Sequence, residues 1–175
     1  MSALLRNWPW IALGLAVALT THLVSVELVP HIAMARVLAK VGPANAIRHG
    51  RRPDETSRGV VRPSPDLLYS TCPYDLAAGP LRVTAPVPPG TYWSVSAFDA
   101  DTDNFFVEND RQAGARADFV IAAQGTRPVT HGLPVVFSPT DRGLVLFRTL
   151  IDSEARLAEI DRVRKAATCG TLGKP

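Results

Sequence analysis

Residues 62–110 (RPSPDLLYSTCPYDLAAGPLRVTAPVPPGTYWSVSAFDADTDNFFVEND) constrain the fold more than any other part of the chain. Short runs rich in aromatic and branched residues (67–74, 81–85, 92–98 and 104–107) alternate with Pro/Gly or Asp/Asn punctuation. That rhythm predicts antiparallel strands joined by tight turns. Val87-Pro88-Pro89-Gly90 breaks any ladder, because proline brings no amide hydrogen and glycine opens the turn geometries. Further strands are predicted at 117–123, 135–138 and 143–150; the last is almost wholly apolar and belongs at the centre of a sheet. A helix is expected over 152–167, capped by Asp152 or Ser153, with Leu157, Ile160 and Val163 as its docking stripe and Arg162, Arg164 and Lys165 suiting its C-terminal dipole.

The N-terminus is of another kind. Residues 7–26 contain no Asp, Glu, Lys or Arg. Twenty helical residues span about 30 Å, the thickness of a bilayer core. Trp8 and Trp10 sit where indole rings favour the lipid–water interface. A cleaved signal peptide is the alternative, but the small-residue site Ala33-Met34-Ala35 lies well past the apolar run, which favours an uncleaved anchor. His22 and Glu27 fall near the far interface, within reach of headgroups and water. Residues 31–41 have helical apolar spacing, and Gly42-Pro43 ends it; a short amphipathic helix on the bilayer or under the domain is expected. Three units result: an anchor at 1–30, an amphipathic helix and linker at 31–61, and a β domain with a C-terminal helix at 62–175. The fold class is mainly β, an antiparallel β-sandwich-like domain with a transmembrane helix before it and an α-helix at its end.

The 15 prolines argue against a helical bundle, and the net charge of +3 is spread out apart from Arg48, Arg51, Arg52, Arg58 and Arg62. No aromatic interleaves that basic run, so it reads as a solvated or lipid-facing linker and not a nucleic-acid surface. Arg6 precedes the span and Arg36, Lys40 and Arg48 follow it; that count alone puts the bulk of the chain in the cytoplasm. The cysteines point the other way. Cys72 and Cys169 lie at the two ends of the β domain, where a disulfide would staple it and imply an oxidising compartment, two free buried thiols being the alternative. On the cysteine argument the chain is a single-pass inner-membrane protein whose C-terminal domain is periplasmic.

Chemistry is less well marked. No zinc spacing accompanies the cysteines. Residues 99–110 have the alternating carboxylates of a calcium loop, but Asn104 stands where glycine is needed and Asp110 where a longer Glu would chelate. A polar hairpin turn accounts for the same residues. Neither a metal nor a cofactor is expected. Tyr69, Tyr74, Asp75, Tyr92, Trp93 and Asp99 are the candidate binding residues, able to line one concave face. No nucleophile–base signature is visible, and His49 and His131 lie in Pro/Gly-rich loops.

The pattern P-x-P-D-x-L-Y, then D-L-x-x-G-P, Y-W-S-x-x-x-x-D and N-D is filled by Pro63, Pro65, Asp66, Tyr69, Asp75, Leu76, Gly79, Pro80, Tyr92, Trp93, Ser94, Asp99, Asn109 and Asp110. It resembles the core of the domain of unknown function 1254 (DUF1254) family, in its short, membrane-anchored bacterial branch. The resemblance implies a β-sandwich-like fold and brings no catalytic residue. Longer members carry a second β domain, the domain of unknown function 1214 (DUF1214), and its absence here implies a separately encoded partner. The expected function is thus a membrane-tethered, non-catalytic binding or assembly module. A periplasmic hydrolase or carbohydrate-active enzyme using the Tyr/Trp/Asp-rich face is the alternative.

Overall fold

In the computed structural model, residues 2–59 and 62–172 are described; Met1, 60–61 and 173–175, which fall at the limits of the three expected units, lie outside the described residues. The chain starts with α1 (Ser2–Val41), a 40-residue helix with Pro9 and Pro30 inside it. Among the described residues, one helix is long and apolar enough to cross a membrane, residues Arg6–Val41, with a mean hydropathy of 1.8 in its apolar window. Trp8, Trp10, Leu15, Leu19, Leu23 and Val26 stand exposed along it, with no protein to bury them.

Residues 31–41 are not a separate helix. They continue α1 through Pro30, whose missing amide removes one rung without ending the ladder. Met34 in this last third is buried. The helix stops at Gly42, whose φ of +105° is open to glycine and whose Cβ position is filled by the Arg48 guanidinium. Asn45 then fixes the helix end to the domain. Its amide donates to the Pro73 carbonyl (2.7 Å), and its side chain exchanges hydrogen bonds with the Asp75 backbone (2.9 and 3.0 Å).

Nine strands follow among the described residues: β1 (Arg48–His49), β2 (Leu67–Asp75), β3 (Leu81–Pro86), β4 (Trp93–Phe98), β5 (Asn104–Asn109), β6 (Arg116–Ala123), β7 (Val135–Ser138), β8 (Arg142–Leu150) and β9 (Thr168–Thr171). They form two sheets, β1-β2-β8-β4-β5 and β7-β6-β3-β9. Every pairing is antiparallel except β6 with β7, which runs parallel from Val120 opposite Val135. The two sheets pack face to face around Cys72, Val83, Trp93, Val95, Phe119, Ile121, Val145 and Phe147, the buried core of a sandwich. Pro73 is tolerated in β2 because β1 reaches only as far as Thr71, leaving no ladder partner on that side. Gly143 lets the Tyr74 ring cross β8, since a Cβ there would strike both that ring and the Phe98 carbonyl.

A disulfide joins Cys72 to Cys169, with Cα atoms 6.5 Å apart. It ties sheet to sheet, because Cys169 lies not at the end of the last helix but in β9, opposite Val83 of β3. α3 (Leu157–Lys165) precedes it, with Ile160 fully buried. Neither expected cap is used: Ser153 makes no side-chain cap bond, and Asp152 is drawn into an ion pair with Arg156 instead. Arg164 does more than suit the helix dipole. It is only 4% exposed, and its guanidinium donates to the Tyr69 carbonyl (2.7 Å), the Gly50 carbonyl (3.1 Å) and Asp161 (Nε, 3.0 Å), clasping α3 to β2.

Candidate functional site

The β4–β5 hairpin links the anchor to a groove. Its turn meets α1, where His31 pairs with Asp101. Its open end, about 17 Å away at ~3.3 Å per strand residue, lines a groove of about 880 Å³ formed by residues 87–92 on one side and 109–111 with 114–115 on the other. The walls are rigidly placed. Asn109 caps α2 (Asp110–Ala113), its side chain accepting from the amides of Arg111 (3.0 Å) and Gln112 (3.3 Å) while its own amide donates to Gln112 Oε1 (3.1 Å). The Trp93 amide donates to Asp110 (3.3 Å), the Leu150 amide to the Tyr92 carbonyl (2.9 Å), and Arg156 to the Pro89 carbonyl (2.8 Å). Tyr92, 44% exposed, is the groove's aromatic contact surface.

The six candidate binding residues do not share one face. Tyr92 is on the surface, whereas its neighbour Trp93 is 2% exposed and packs on Phe147 with ring centroids 6.5 Å apart. Strand alternation decides this: Trp93, Val95 and Ala97 point to the second sheet, leaving Ser94 and Ser96 on the outer side. The outer side of β4 therefore carries two serines, both buried, and not the aromatic area that its composition suggests. Tyr74 is also in the core, hydrogen-bonded to Ser138 Oγ (2.8 Å) and donating to the Phe98 carbonyl (3.2 Å); burial pushes its phenol up to about 12. Asp75 accepts from the Ala77 amide (3.0 Å) and from Arg142 (2.9 Å). Asp99 is buried and accepts from the amides of Asp101 and Asp103, both at 2.9 Å, which is the Asx-type turn of a hairpin. Among the described residues, no three His, Cys, Asp or Glu side chains are grouped to hold a metal.

Register brings together residues that the sequence keeps far apart. Tyr69 lies opposite Arg148, Arg148 opposite Ser94, and Ser94 opposite Asn109, one row across four strands on the outer side of the first sheet. Tyr69, Ser94 and Asn109 are positions of the pattern given above; Arg148 was not singled out. The signal for it is a lone cation within the apolar run 143–150. Tyr69 is held by the Ser64 amide, which donates to its hydroxyl (3.0 Å).

A serine–histidine pair also appears only in three dimensions. His49 Nδ1 is 2.9 Å from Ser70 Oγ, beside a second groove of about 530 Å³ lined by Arg51, Arg52, Arg164 and Lys165. Ser70 is 1% exposed and accepts from Arg164 (3.3 Å), so its hydroxyl is a buried strut that no substrate carbonyl can approach. Burial, then the nearby Arg164 charge, holds His49 below the usual imidazole range. Burial opposes ionisation of Asp161, but hydrogen bonds from Lys165 and Arg164 outweigh it and keep that carboxyl low.

Two solved structures are similar to this chain. The VPA0106 protein from Vibrio parahaemolyticus is 18% identical over 85% of this chain and 35% of its own, with a TM-score of 0.65. An uncharacterized protein from Burkholderia cenocepacia is 16% identical over 74% of this chain and 34% of its own, with a TM-score of 0.49. This chain thus spans about a third of the length of the solved structures it matches. None of the curated proteins matches it. The family described as "Protein of unknown function (DUF1254)" matches residues 44–171. That stretch runs from the end of α1 to the last residue of β9 and takes in the disulfide, both sheets and the groove: the chain belongs to the DUF1254 family.

Proposed function

We propose that this protein is a membrane-tethered binding module that engages a separately encoded partner through the groove at Tyr92. The supporting observation is the placement of that groove. It lies at the opposite end of the β4–β5 hairpin from the contact between His31 and Asp101, so the exposed tyrosine faces away from the anchor. Tethering confines the groove to one surface and raises its effective concentration toward other membrane-bound proteins. The polar rim of Asn109, Asp110 and Arg111 around Tyr92 has the composition of a binding hot spot. Two-thirds of the VPA0106 chain lies outside the match, so in that protein the same fold adjoins further structure. A protein of the DUF1214 type is the partner proposed here. In solubilised membranes the wild type is expected to bring one discrete protein through purification, and Tyr92→Ala to lose it while staying folded. Equal recovery with wild type and variant would refute the groove.

We further propose that the domain is periplasmic and the helix an inner-membrane anchor; the disulfide supports this, because it is stable in an oxidising compartment. The basic residues after the span run against the positive-inside rule, and the cysteine pair outweighs them in this reading. A C-terminal alkaline phosphatase fusion is expected to be active in intact cells. An inactive phosphatase beside a bright fluorescent-protein fusion would put the domain in the cytoplasm.

A further inference from the structure

The second groove, beside β1, carries positive charge that the fold does not use. It holds about 530 Å³, a size suited to a small-molecule ligand. Four cations line it, Arg51, Arg52, Arg164 and Lys165, against two carboxylates, Glu154 and Asp161. Two of the cations are spent. Arg164 is buried and gives its guanidinium to Asp161 and to the Tyr69 and Gly50 carbonyls, and Arg52 pairs with Glu154 (2.7 Å). Lys165 has only a share of Asp161, because that carboxylate already serves Arg164. Arg51 enters none of the ion pairs among the described residues. Asp54, three residues on, is engaged by Thr56 and Ser57 instead. Two positive charges are therefore left over, and both Arg51 and Lys165 are exposed along the groove. Leu68, Leu157 and Ala158 add apolar surface between them and the sheet.

We infer that this groove binds a small, water-soluble phosphate monoester with an apolar substituent. Such an ester carries close to two negative charges at neutral pH, matching the two left over, whereas a carboxylate carries one. Arg51 offers a planar fork to the phosphate oxygens and Lys165 a point charge. Leu157 and Ala158 give the substituent an apolar wall. Placement decides between a soluble ester and a bilayer lipid. α1 crosses the end of the first sheet from the β4–β5 turn, where His31 pairs with Asp101, to the end of β2, where Asn45 bonds the Pro73 carbonyl. The strand nearest the uncharged stretch 7–26 is thus β5, and β1 lies four strand spacings beyond it, ~19 Å farther out. An ester in solution reaches a groove at β1; a headgroup held in the bilayer does not. The site goes beyond the Tyr92 groove and does not depend on it.

The test is calorimetric titration of the full chain, solubilised in a non-ionic detergent, with phenyl phosphate at constant ionic strength. Benzoate and chloride are the comparison series. Saturable binding of phenyl phosphate is expected, with benzoate about tenfold weaker and chloride without effect. Arg51→Gln and Lys165→Gln should each weaken phenyl phosphate about tenfold, the ratio supplied by one charge-assisted hydrogen bond. Arg162→Gln, an exposed change on α3 outside the groove, should leave binding as it is. Thermal melts separate lost binding from lost fold; if one groove variant unfolds, the other and the benzoate comparison carry the test. No saturable binding, or equal losses from all three variants, overturns the site. Benzoate binding as tightly as phenyl phosphate overturns the phosphate assignment. In nanodiscs, adding phosphatidic acid to phosphatidylcholine should not change phenyl phosphate binding, and competition there overturns the soluble source. All of these results leave the Tyr92 reading intact, since that is judged by co-purification.

Discussion

Replacing Cys72 with serine is expected to destabilise the domain by about 2–5 kcal/mol, or roughly 10 °C in Tm. The bond closes a separation of 97 residues, for which the chain-entropy model gives about 4.7 kcal/mol. Structure adds a second reason for a large effect. β9 is a four-residue edge strand held on one side by β3, and ordering so short a strand without the covalent tie returns little for its entropy. Denatured, unreduced protein should show no thiol that reacts with a labelling reagent, and both cysteines should label after reduction. Stoichiometric labelling before reduction, with a Cys72→Ser variant that melts like the wild type, would contradict the staple.

Trp93→Ala is expected to cost about 3–5 kcal/mol, the range for emptying a large aromatic from a packed core. The indole is 2% exposed against Phe147, and the neighbouring strands leave no obvious route to collapse the cavity. Tyr92→Ala, one residue earlier, should fall within about 0.5 kcal/mol of the wild type because that side chain is a surface group. Urea denaturation of the pair checks the contrast directly. A Trp93→Ala variant as stable as Tyr92→Ala would mean that β4 is registered the other way, with serines inward and the indole outward.

How much of this was legible follows from the range of each signal. Strands β2 to β8 announce themselves through local composition, and β8 through its apolar run, because both of its neighbours are strands of the same sheet. The anchor is equally local. β1 and β9 are invisible for the opposite reason: two and four residues carry no periodicity, and Arg48-His49 and Thr168–Thr171 become strands only where β2 and β3 offer free edges. The expected break between the anchor and residues 31–41 does not occur, because the buried turn around Met34 outweighs the one hydrogen bond lost at Pro30. Composition found Tyr92 and Trp93 together but could not separate them, since the face each takes depends on register. The Tyr69–Arg148–Ser94–Asn109 row depends on three registers at once, which no local pattern encodes. The sequence assigns Arg164 only to the C-terminal dipole of its helix; its burial follows from where α3 lands on β2, a tertiary fact.

The most direct test of the binding reading is a photo-reactive amino acid placed at position 92 in living cells, with Arg162 on the exposed side of α3 as the control position. Illumination is expected to give one discrete adduct from position 92, identifiable by mass spectrometry as a separate envelope protein, and none from position 162. No adduct from position 92, or the same adducts from both positions, would contradict a partner at the groove.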